Sequence, residues 1–264
     1  MQGQEKLTTL LNSLPITKFP HSLILNGDKG CGKHTLLQEI AEKYKLEVVD
    51  ITGKLTLDFI SEVQESPFSG IYSINADKIS IKEQNIILKF LEEPSTSVYI
   101  IILCENVNNL LTTVKNRCET WVFSQYAKDF LNRYIVNTTN KETAENLLKI
   151  ARTPGQVKLL DSTDIDTYLS LTDKIFDKCG VASISNLLTI SNKLGFKGEK
   201  EKLDFDIFKM CLLFSAERYV EKTSRYDIYV VCHDFIKRVS TAYIDKKQCF
   251  ENFLLSLKVH MNEN

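Results

Sequence analysis

The chain has 264 residues, 43% of them hydrophobic, with 33 basic and 34 acidic side chains and a formal net charge of −1. That is enough apolar material for two or three packed units, and it excludes whole-chain disorder. The balanced charge also argues against a protein that grips nucleic acid along its length, because phosphate neutralisation requires a basic excess.

The first ten residues are polar, without the apolar centre of a signal peptide. Ser22–Asn26 (SLILN) is a short apolar run that reads as a buried strand, followed by a Gly-rich loop over 27–34 and a helix over 35–44 with Leu36, Leu37 and Ile40 on one side. Residues 46–51 form a second strand candidate, 55–64 a helix, 70–74 a third strand, and 81–93 a helix stopped by Pro94. Residues 98–103 give a fourth strand, too short to cross a bilayer. A short helix over 110–116 and a strand over 120–123 close the series. Strands alternating with helices imply a parallel sheet with right-handed crossovers.

Beyond residue 125 strand signals nearly vanish. Helices are expected over 127–134, 141–151, 155–160, 168–179, 183–194, 203–221, 226–245 and 248–261, with an exposed loop at 195–202. The expected domains are an α/β domain at 1–125, a small helical lid at 126–164 and a helical collar at 165–264. Phe208, Leu212, Leu213 and Phe214 read as core first and subunit contact second. The seven cysteines contain no CxxC pair, which argues against a disulfide framework or a zinc ribbon; no metal site is expected, and a reducing cytoplasm is.

GDKGCGKH, residues 27–34, follows a strand and opens a helix, as a phosphate-binding loop does. Gly27, Gly30 and Gly32 let the backbone curl its amides inward, the helix N-terminus favours anions, and Lys33 would reach the terminal phosphates. At the last position a hydroxyl normally binds magnesium. His34 offers imidazole instead, a poor ligand for a cation that prefers oxygen. Phosphate binding can survive this change while magnesium-assisted chemistry is impaired.

Residues 71–94 read IYSINADKISIKEQNIILKFLEEP. This resembles the stretch of bacterial DNA polymerase III clamp loader subunits, of the AAA+ class, in which a strand ends in an acidic box and a helix carries QNALLKTLEEP. Gln84, Asn85, Leu88, Lys89, Leu91, Glu92, Glu93 and Pro94 match, and Asn116-Arg117-Cys118 stands at the family's Ser-Arg-Cys motif. The resemblance covers roughly residues 15–125.

The resemblance implies an AAA+ P-loop α/β domain followed by a helical lid and a helical collar. It also implies lost chemistry. Where active members carry Asp-Glu-Ala-Asp, this chain has Ile74, Asn75, Ala76 and Asp77, so the magnesium-steering Asp and the water-orienting Glu are replaced. Cys104 or Glu105 stands where a sensor Thr is usual. Thr153-Pro154-Gly155-Gln156 replaces the Arg-bearing helix start, in a form nearer to delta-prime than to the ATPase subunits. The family's four-cysteine zinc insertion has no room between residues 44 and 70.

The losses at His34, Ile74, Asn75 and Gly155, with Arg117 retained, imply a delta-prime-like subunit that does not hydrolyse ATP itself and supplies Arg117 as an arginine finger to a neighbour's ATP. No cofactor is then required, and the loop holds ATP or ADP weakly at most. The implied partners are the gamma/tau and delta subunits in a hetero-pentamer and, through them, the sliding clamp and primer-template DNA, with no membrane involved. The alternatives are an active, ATP-hydrolysing gamma/tau-like subunit and an unrelated P-loop enzyme.

Overall fold

The computed structural model describes residues 1–51, 55–65, 68–92, 98–138, 147–196, 202–240 and 244–262. These fall into two compact units, Met1–Leu131 with Arg152–Gln156, and Asn132–Ala151 with Val157–Asn264.

The first unit is built on five parallel strands: β1 (Ser22–Asn26), β2 (Glu47–Ile51), β3 (Gly70–Asn75), β4 (Val98–Cys104) and β5 (Glu119–Val122). Their order is β2-β3-β4-β1-β5, with β1 paired to both β4 and β5. This is the parallel α/β architecture expected from the alternation of strands and helices in the sequence. The helices are α1 (Glu5–Ser13), α2 (Lys33–Tyr44), α3 (Leu57–Glu65), α4 (Ile81–Glu92) and α5 (Thr112–Lys115).

Strand side chains alternate between two buried faces, as a sheet covered on both sides requires. Leu23, Leu25, Ile71, Ile101 and Leu103 cluster with Leu36, Leu37 and Ile40 of α2. Ile24, Tyr72, Ile74, Ile100 and Ile102 cluster with Ile60 of α3 and with Ile87 and Phe90 of α4. Helix α1, within the stretch that reads as polar, buries only Leu7 and Leu11, one turn apart. The expected stop of α4 at Pro94 lies outside the described residues; α4 is described to Glu92.

The second unit is helical. It contains α6 (Lys128–Thr138) from Asn132 onward, helical residues 147–150, and most of α7 (Pro154–Asp161). It continues with α8 (Ile165–Lys178), α9 (Ile184–Ser191), α10 (Phe205–Thr223), α11 (Tyr226–Val239) and α12 (Lys246–Asn262). Phe208 and Leu212 are fully buried, whereas Leu213 and Phe214 are only partly covered. A two-residue parallel ladder, Leu194–Gly195 with Leu203–Asp204, brackets the expected loop at 195–202, of which 197–201 lie outside the described residues. Among the described residues no helix is long and apolar enough to cross a membrane.

Candidate functional site

The site is assembled where β1, β3 and β4 end, at the edge of a parallel sheet where ligands commonly bind. Strand β1 is pinned there on both sides: Gly27 N–H donates to Cys104 O at 3.0 Å and Phe123 N–H to Asn26 O at 2.9 Å. The phosphate loop then turns through Gly30 (φ +79°) and Gly32 (φ +101°), left-handed positions that favour glycine, into the first turn of α2. This is the curl required of an anion cradle. Lys33 folds back onto the loop, its Nζ donating to Gly27 O and, at 3.1 Å, to Asp28 O. Tyr126 Oη donates to Cys31 O at 2.7 Å.

The acidic-box positions are engaged elsewhere. Ile74 is fully buried in the core. Asn75 Oδ1 accepts from Asp77 N–H at 3.0 Å, capping a single turn. Asp77 in turn accepts the Glu105 N–H on both carboxylate oxygens, at 3.2 and 3.1 Å, and so ties the end of β3 to the end of β4. Protein atoms crowding one side of Asp77 push its carboxyl above the usual range, against the pull of the Glu105 N–H and of Lys33. Cys104 is fully buried at the end of β4, and burial, with Asp77 nearby, pushes its thiol up to about 12.

The start of α7 sits directly on the phosphate loop. Thr153, almost fully buried, donates through Oγ1 to Lys29 O at 2.9 Å and accepts from Gln156 N–H at 3.2 Å. Gln156 Oε1 accepts from Arg152 N–H at 2.7 Å, so the Gln156 side chain is spent capping its own helix. Gly155 N–H donates to Gly30 O at 3.0 Å.

Arg117 lies in the turn after α5. One guanidinium nitrogen donates to Thr113 O at 3.0 Å and another to the Glu92 carboxylate. The structure thus gathers Gly27, Gly30, Gly32, Lys33 and His34 in one loop and gives Arg117 an acidic partner on α4. Thr153, Tyr126 and Glu92 were not singled out for these roles from the sequence. Thr153 could have been found from its spacing to Gln156, a helix-capping pattern.

The family model described as DNA polymerase III, delta subunit, matches residues 47–127. The chain is 25% identical over 145 residues to the DNA polymerase III delta-prime subunit of Haemophilus influenzae, covering 50% of this chain and 44% of that one. Over part of its length the chain is thus similar to DNA polymerase III clamp loader subunits.

A further relative is the gamma/tau subunit of Mycoplasma pneumoniae, 24% identical over 209 residues, covering 66% of this chain and 30% of that one. The chain therefore spans less than half the length of these curated relatives. Among solved structures, a DNA polymerase III gamma subunit-related protein of Thermotoga maritima superposes with a TM-score of 0.43 at 15% identity, covering 98% of this chain and 99% of that one.

Proposed function

We propose that this chain is a delta-prime-like clamp loader subunit that does not hydrolyse ATP and that supplies Arg117 to the ATP site of a neighbouring subunit. The observation that carries this reading is the use made of the acidic-box side chains. Ile74 is core, Asn75 caps a turn, and Asp77 braces β4, so none is left to steer magnesium or orient a water. His34 adds no oxygen ligand. The glycine curl of the loop still fits a phosphate group, held by backbone amides and Lys33, and the chain carries ATP or ADP there weakly if at all. Its partners are the other clamp loader subunits, gamma/tau and delta, in a hetero-pentamer and, through them, the sliding clamp and primer-template DNA.

The shape of the phosphate loop and the likeness to gamma/tau subunits favour the other reading, an active ATPase subunit. Steady-state phosphate release by the purified chain separates the two. The expected result is release no faster than in buffer; turnover above background that disappears in Lys33→Ala establishes the active subunit instead.

A further inference from the structure

Both polar contacts of the Arg117 guanidinium draw it toward its own domain. The Thr113 carbonyl belongs to the α5 turn, and Glu92 is the last described residue of α4, 25 positions earlier in the chain. A carboxylate toward the C-terminal part of a helix adds to the negative end of the helix dipole, so this part of α4 attracts a cation. Two of the five guanidinium donors are used, which leaves donors for another anion. The pair is open to water, with the Arg117 side chain 36% and the Glu92 side chain 49% exposed. Ion pairs of this exposure bias a side chain by only about 1.4- to 5-fold.

We propose that Glu92 is the resting partner of Arg117: it holds the guanidinium neutralised on its own domain until a polyphosphate anion presented by a neighbouring subunit replaces it. This rests on the arginine-finger reading above. The exchange is favourable on charge and geometry. A phosphate chain carries more negative charge than one carboxylate and accepts the planar fork at two oxygens, and an interface excludes the water that weakens the Glu92 pair. Glu92, once released, returns to solvent. It therefore regulates how much of Arg117 is available, and it need not touch the nucleotide.

Glu92→Gln keeps the size and an oxygen acceptor but removes the charge. In the isolated full chain, phenylglyoxal modification of Arg117, followed by mass spectrometry, should run about 1.4- to 5-fold faster in Glu92→Gln at unchanged melting temperature. In the assembled complex, DNA-stimulated ATP turnover should rise by a similar factor through kcat, with the difference shrinking as salt screens the pair. No rise should occur in an Arg117→Ala background. If Arg117→Ala lowers turnover while Glu92→Gln leaves turnover and modification unchanged, the resting-partner role is wrong and the finger reading stands. If Arg117→Ala leaves turnover unchanged in a fully assembled complex, the finger reading falls and this proposal falls with it.

Discussion

Gly30 and Gly155 pack backbone to backbone. A Cβ built on Gly155 would stand 2.4 Å from the Gly30 Cα, and one built on Gly30 would stand 2.8 Å from the Gly155 Cα. Around this contact run the Gly155 N–H bond to Gly30 O and the Thr153 hydroxyl bond to Lys29 O. The phosphate loop is thus braced by protein groups on its carbonyl side, and its shape has a source of support other than nucleotide.

Gly155→Ala tests this contact. No backbone shift on either side is cheap, so overpacking of about 1–3 kcal/mol is expected, read as a melting temperature lower by several degrees. Thr153→Ala should cost about 0.5–2 kcal/mol through loss of the helix cap, while Thr153→Ser, which keeps the hydroxyl, should recover most of it. A Gly155→Ala protein that melts like wild type would show that the loop and α7 separate freely.

Arg117→Ala should leave the chain folded and the complex assembled, because an exposed ion pair contributes only about 0.2–1 kcal/mol. The loss should appear as slower DNA-stimulated ATPase and slower clamp loading, with arginine fingers in related systems worth about three to five orders of magnitude. If Arg117 only braces its own domain, melting temperature falls first and activity only in proportion. Both are measured on the same preparation.

Lys258 on α12 holds the turn that ends α8. Its Nζ donates to Ala182 O at 2.6 Å, Gly180 O at 3.1 Å and Cys179 O at 3.5 Å. Lys258→Met keeps the aliphatic stem but leaves these carbonyls without the ammonium. A loss of about 1–3 kcal/mol in denaturant unfolding is expected, with activity per folded molecule unchanged.

The buried thiols set an alkaline limit. Burial pushes Cys31 from 9.0 up to about 11, with Lys33 pulling the other way, and pushes Cys118 up to about 12. A thiol whose folded pKa is raised is protonated in the folded chain when the unfolded chain has already lost its proton. Above pH 9 the unfolded state therefore binds fewer protons, and stability must fall as pH rises toward 11. Melting temperature followed from pH 8 to 11 should decline over that window, and Cys31→Ala should flatten part of the decline. The same protonation predicts slow alkylation of Cys31 at pH 8 in the folded protein.

The strands were legible because they are short apolar runs bounded by turn residues, and the glycine loop because its motif is contiguous. The retained Arg117 and the replaced acidic box were legible only through resemblance to a family, since one sequence does not mark which Arg or Asn matters. Helix α1 was missed because its buried stripe is two leucines, Leu7 and Leu11, in a polar stretch.

The sequence by itself determined the order of elements, the apolar runs that let β1 and β4 be covered on both faces, and which residues, His34, Ile74 and Asn75, stand at the end of the glycine loop and the end of β3. Only the tertiary structure decided where the remaining polar groups are spent. Thr153 meets Lys29 across 124 residues, Asp77 meets Glu105 across 28, and Glu92 meets Arg117 across 25. Local patterns record which face of an element is apolar, because every residue on that face shares the same burial. A hydrogen bond between two residues distant in the chain leaves no periodic trace, since its partners are brought together only after the sheet and helices have packed.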